Sequence, residues 1–210
     1  MFGIINFSTF LIAGIVLNLT PGTDTMYILG RSISQGKKAG LLSALGISTG
    51  ALVHTVFAAL GLSVILAQSA TAFNIVKYLG ALYLIYLGIK TLSSKNKNEF
   101  KIDDNAGYKN SRSIYLSGIL TNVLNPKVAL FFLAFLPQFI DPNYNNSTLS
   151  FIVLGLTFVT TGTIWCIVLA LFSAKLFSRI KQNYRIKAWL DRFTGSIFIF
   201  LGIKLALLKK

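Results

Sequence analysis

Asn18-Leu19-Thr20-Pro21-Gly22-Thr23-Asp24 decides the reading of this chain, because it interrupts an apolar run that extends over residues 4–30. Proline removes a backbone donor and clashes with the preceding turn, so Pro21 kinks or breaks any helix drawn through it. A second interruption of the same kind, Asn122-Val123-Leu124-Asn125-Pro126-Lys127, falls inside the apolar run 113–136. A helix needs about 20 mostly apolar residues to cross the hydrocarbon of a bilayer. Six stretches qualify: 4–30, 40–67, 71–92, 113–136, 148–173 and 190–208. The expected fold class is therefore an all-α integral membrane protein with six transmembrane helices.

Composition supports that class. Apolar residues make up 54% of the 210 and charged residues 12%, about half the usual share in soluble domains. The net charge of +14 raises nucleic acid as a partner, but the basic residues sit between long apolar runs rather than among aromatics on a polar domain. They read as topology signals, with the lipid bilayer as the partner and no nucleic acid. Arg31, Lys37 and Lys38 occupy the first connection. Lys90, Lys95, Lys97, Lys101, Lys109 and Arg112 occupy the third, and Lys175, Arg179, Lys181, Arg185, Lys187 and Arg192 the fifth. The second connection (68–70) and the fourth (137–147) carry no Lys or Arg. The positive-inside rule then places both termini outside the cytoplasm, although Lys209 and Lys210 vote the other way. The N-terminus has no basic stretch ahead of its apolar core, so the first run is expected to be a retained span rather than a cleaved signal. Cys166 is the sole cysteine, which excludes an intrachain disulfide.

Residues 1–92 form the first of two units, 93–112 a polar cytoplasmic linker, and 113–210 the second unit. The second unit contains a basic segment, 175–192. Its Leu176, Ile180 and Tyr184 recur at helical spacing, as in a helix lying in the interface; a solvated basic loop fits as well. The units match internally. Pro21 and Pro126 lie 105 positions apart, and Leu87-Gly88-Ile89-Lys90 reappears as Leu201-Gly202-Ile203-Lys204, 114 positions on. A unit of three spans is odd, so its second copy enters the membrane from the opposite face. Two inverted three-helix repeats are the expected arrangement, as is common in secondary transporters.

Paired breaks leave backbone groups that cost several kcal/mol each in hydrocarbon unless satisfied. They therefore imply polar backbone lining a cavity near the midplane. Asn18, Thr20, Pro21 and Gly22 on one side, with Asn122, Asn125 and Pro126 on the other, are the candidate substrate-binding residues. Asp24 and Lys127 join them, since a charge at mid-membrane costs roughly 2.5–3.5 kcal/mol and usually faces a cavity or a partner. They hold the amino and carboxylate groups of a zwitterion, or pair with each other, or Asp24 lies at the inner headgroups. Gly46, Gly50 and His54 recur every four residues, hence on one helix face, where small residues permit close packing. His54, the only histidine, is the candidate for proton coupling, against the plainer role of a packed core residue. No phosphate-binding loop, metal cluster or nucleophile–base pair appears, so no catalytic residue, cofactor or metal is expected.

With these residues in hand, the chain resembles the LysE/RhtB family of bacterial amino-acid exporters. The resemblance rests on Leu19-Thr20-Pro21-Gly22-Thr23-Asp24, Gly30-Arg31, Gly36, Ala39-Gly40 and Gly46-x3-Gly50-x3-His54. It rests equally on Asn122-x2-Asn125-Pro126-Lys127 followed by Phe131-Phe132-Leu133-Ala134-Phe135-Leu136-Pro137-Gln138-Phe139. It spans essentially the whole chain. It implies a multi-pass protein of the bacterial cytoplasmic membrane that exports a small amino acid of the threonine, homoserine, leucine or lysine class, driven by the proton motive force. The family often has Pro-Gly-Pro where this sequence has Pro21-Gly22-Thr23, which softens the expected break. No residue-level role comes with the resemblance. Two other readings stand beside it: a transporter of another small solute or cation, and an intramembrane enzyme acting on lipid. A homodimer is left open.

Overall fold

The computed structural model describes residues 2–63, 70–93, 110–141, 144 and 146–182, with 192, 195–196, 198–200, 202–203 and 206–207 beyond them. Among these residues the chain is helical, with no strand apart from the isolated pairing of Ile4 with Ile140. The helices are α1 (Phe7–Leu19), α2 (Thr23–Phe57), α3 (Ala70–Leu92), α4 (Ser111–Val123), α5 (Pro126–Leu130) and α6 (Ser147–Gln182). A wider π turn, Ala58–Leu62, prolongs α2; a π turn, Phe131–Phe135, and a tight 3-10 turn, Leu136–Phe139, prolong α5. Thr23–Leu62 and Ser147–Ser173 are long and apolar enough to cross a membrane. Ser111–Val123 with Pro126–Phe139, bent by 46°, makes a third span if taken as one.

Both prolines sit at breaks. α1 stops at Leu19 and α2 starts at Thr23, with Gly22 extended between them (φ −157, ψ −165). α4 stops at Val123, and Pro126 opens α5 at the position where its missing N–H costs nothing. α2 is itself two arms. Gly36 takes φ +83 and ψ 175, a left-handed value that only glycine adopts without strain, and the chain turns back there. Asn122 shows the reversal directly: its side chain meets Asp24 and its carbonyl meets His54. Thirty residues of straight helix would hold those two roughly 45 Å apart.

The arms position everything else. The returning arm lies beside α4, in the same direction. A Cβ on Gly118 would sit 3.2 Å from Gly46 Cα, and a Cβ on Gly50 would sit 2.7 Å from Asn122 Cβ. The Gly46–Gly50–His54 face is thus the surface against which α4 packs. α6 runs against that arm: Gly155 abuts Thr55, Thr163 Oγ1 donates to Ser48 Oγ at 2.7 Å, and Gly40 abuts Ala170. α1 runs with α6, since Gly14 meets Phe158 and Asn18 meets Gly162. The two broken elements, α1 and α4, therefore point in opposite senses. α3 packs through Gly88 onto Gly195 and Ile199, and Gly202 onto Ala81 and Ile85.

The core holds an aromatic layer. Phe131 stacks on Phe158 (4.7 Å between centroids) and lies 5.2 Å from Phe135, while Phe10 meets Phe139 edge-on at 5.3 Å. Beyond it the N-terminus is tied down. Ile5 N donates to Phe139 O, Asp141 N to Gly3 O, and Ser150 Oγ to Phe2 O. The N-terminus and the 137–147 connection thus share one end of the molecule, and the aromatic layer closes that end. Of the basic segment 175–192, the first residues continue α6 to Gln182. Residues 183–191, like linker residues 94–109, lie outside the described residues, as do Lys204, Lys209 and Lys210.

Candidate functional site

The two breaks meet and exchange side chains. Lys127, on the first turn after the second break, reaches across to the first: its Nζ donates to Leu17 O at 3.1 Å and to Thr20 O at 3.0 Å. These carbonyls belong to the end of α1, where Leu17 O otherwise accepts only the tighter bond from Thr20 N at 3.2 Å and the helix dipole presents its negative end. A Cβ on Gly22 would stand 3.3 Å from the same Nζ, so glycine at this position leaves room for the lysine to cross. In return, Asp24 on the first turn of α2 accepts from Asn122 Nδ2 at 2.8 Å, beside the end of α4. The Asn122 carbonyl meets His54 Nε2 at 3.1 Å. A carbonyl only accepts, so Nε2 carries the proton. The His54 ring stacks on Phe132 at 5.6 Å, between the breaks and the aromatic layer.

Asp24 and Lys127 line one cavity without bonding to each other: Asp24 accepts from Asn122, and Lys127 donates to Leu17 O and Thr20 O. Two buried polar atoms of this cavity lack a partner, Asn122 Oδ1 and Trp165 Nε1; the Asn125 amide, which borders the second cavity, lies against the Asp24 carboxylate. Each such atom costs about 1–3 kcal/mol, so this cavity is not shaped for stability alone. The cavity holds only about 40 Å³, room for water molecules and well below the ordinary range for small-molecule sites, so the site is closed down in this conformation. Leu17, Ile47, Val128, Phe158 and Val159 give it an apolar wall, while Asp24, Asn122 and Lys127 stand along one side and Trp165 and Cys166 on α6 complete it.

A second, larger cavity of about 190 Å³ lies on the other side of the breaks. Thr20–Thr23, Asn125–Lys127, Phe198 and the α3 face of Tyr83, Leu87 and Thr91 surround it. Lys127 borders both cavities.

Asp24, Asn122, Asn125 and Lys127 are thus brought together, with Pro21, Gly22 and Pro126 forming the breaks that present them. Asn18 lines the first cavity, but its amide is directed at α6, donating to Thr161 Oγ1 at 3.2 Å and Phe158 O at 3.4 Å. Thr20 turns its hydroxyl back onto Val16 O at 2.8 Å, and Asn125 Oδ1 accepts from Lys127 N at 3.0 Å, capping α5. Sequence reasoning missed the wall contributed by α6 and Ser48. The signal was present: Thr160-Thr161-Gly162-Thr163 is a small polar cluster in the middle of the run 148–173.

Long apolar helices, two of them broken and crossed around a buried polar cavity, define a multi-pass membrane protein. The chain belongs to the LysE type translocator family, whose model matches residues 15–209. It is 35% identical to the uncharacterized membrane protein YrhP of Bacillus subtilis (strain 168) over 198 residues, covering 90% of this chain and 92% of that one. It is 31% identical to a leucine efflux protein of Enterobacter sp. (strain 638) over 207 residues, covering 98% and 97%. It is 30% identical to a leucine efflux protein of Salmonella choleraesuis (strain SC-B67) over 212 aligned positions, covering 99% and 98%. No solved structure matches. Membership of this family makes the protein a membrane translocator, the class to which the two leucine efflux relatives belong by name.

Proposed function

We propose that this protein is a secondary exporter of a small apolar amino acid, which it holds as a zwitterion between the two breaks. The carrying observation is that Asp24 and Lys127, from opposite breaks, come to one buried cavity without pairing with each other. Asp24 takes the ammonium group. The carboxylate lies against Lys127 and the start of α2, which has no side-chain cap and so offers backbone N–H groups to an anion. Leu17, Ile47, Phe158 and Val159 receive the side chain when the cavity, closed down to about 40 Å³ here, opens toward one face. The names of the leucine efflux relatives favour a branched aliphatic one.

The chain crosses the cell membrane six times as two inverted three-helix halves, with both termini outside the cytoplasm. The opposite senses of α1 and α4 support the inversion. The cavity then alternates between faces, and the aromatic layer around Phe131 is the closed outer gate of the conformation described here. His54 takes up and releases the coupling proton, joined to Asp24 through Asn122. Extracellular amino-acid profiling of cells overexpressing the chain tests this reading, with Asp24→Asn as the control. Accumulation of aliphatic amino acids outside, lost in the variant, is expected. No accumulation, or equal accumulation with Asp24→Asn, overturns it.

A further inference from the structure

The end of α1 has the chemistry of a cation site. Two carbonyls of a half-helix terminus, Leu17 O and Thr20 O, converge at 3.1 and 3.0 Å on one point, at the negative end of the helix dipole. Secondary transporters use such half-helix carbonyls to bind a coupling Na⁺ or H⁺. Here the point is occupied by Lys127 Nζ. The lysine comes from the opposite half of the chain, and Gly22 has no Cβ to obstruct its path. Its backbone N–H is bonded to Asn125 Oδ1, which fixes the start of the side chain.

We propose that this is a monovalent-cation site which the chain fills with its own tethered ammonium, so that transport needs no alkali-metal ion. Because Lys127 borders both cavities, the same ammonium locks the two breaks together and turns its remaining N–H toward the substrate carboxylate. This rests on the transport reading above, but the site itself is testable without transport.

Truncating Lys127→Ala removes three methylene carbons and the ammonium, which together have the shape of propylammonium. Lys127→Met removes the charge but keeps the site filled. Purified wild type, Lys127→Ala and Lys127→Met are compared in thermal unfolding and, after reconstitution, in amino-acid counterflow, with propylammonium chloride, NaCl or choline chloride added. Lys127→Ala should lose about tenfold or more of its transport, the scale set by two charge-assisted hydrogen bonds. Propylammonium or Na⁺ should restore most of that loss and raise the variant's unfolding temperature saturably, whereas choline should not. Wild type should be indifferent to all three salts, and Lys127→Met should be impaired and beyond rescue. The proposal is overturned if no cation restores or stabilises Lys127→Ala, if Lys127→Met responds equally, or if wild type requires Na⁺. If wild type carries no amino acid, the transport reading fails while the unfolding comparison still decides the cation site.

Discussion

At the break between α1 and α2, the helix-end carbonyls are met by a lysine; at the break between α4 and α5, the Asn122 carbonyl is met by a histidine. Both partners are donors carried by an element of the other half or the neighbouring arm, and both add a side-chain bond to a helix-end carbonyl that otherwise keeps only a tight i+3 backbone bond, Leu17 O from Thr20 N and Asn122 O from Asn125 N. Lysine is a compact ammonium on a flexible stem, whereas histidine is the one side chain whose unperturbed pKa lies between pH 5 and 8. The comparison teaches a division of labour. The first break is held by a tethered cation, and the second by the group to which the proposed function assigns the coupling proton. The acid–amide pair Asp24–Asn122 links the two.

Changes that separate the breaks sharpen this comparison. Asp24→Asn keeps a side chain able to bond with Asn122 but removes the counter-charge for the substrate ammonium. Counterflow should fall on the order of a hundredfold, as for losing one partner of a buried charged contact at about 2–5 kcal/mol, while the unfolding temperature changes little. His54→Gln retains a donor for Asn122 O yet cannot titrate. Transport driven by a pH gradient should fall on the order of tenfold, within the usual range of coupling between sites, whereas counterflow without a gradient is preserved. Equal loss in both assays would make His54 a packing residue and dissolve the contrast. Asn125→Ala removes the cap of α5 and should lower stability by about 1 kcal/mol in detergent unfolding. Thr23→Pro should have the smallest effect, within about 0.5 kcal/mol. Thr23 is the first residue of α2, where proline is tolerated, and Gly22 already has the extended backbone that a residue before proline prefers.

The breaks were legible in the sequence because proline and asparagine inside an apolar run admit few structures. The Gly46–Gly50–His54 face was equally legible, since one helical period is enough to place it, and α4 packs on it. The reach of Lys127 to α1 was not. Sequence puts Lys127 and Leu17 110 positions apart, and nothing local states which helix end a long side chain will find. Sequence reasoning left open whether Asp24 and Lys127 pair with each other. Instead each turns to the end of the other half's broken helix. The first connection, marked only by Arg31, Lys37 and Lys38, proved to be a single-residue reversal at Gly36. The α6 wall escaped notice because Thr161, Gly162 and Thr163 pass for ordinary helix in so apolar a run.

Binding of free leucine to the purified protein, compared with N-acetylleucine and leucinamide, tests the central claim most directly. A zwitterion held by Asp24 at one end and Lys127 with the α2 start at the other predicts measurable binding of leucine and strong loss with either blocked derivative. Comparable affinity for all three would show that the charged ends of the substrate are not what the crossed breaks hold.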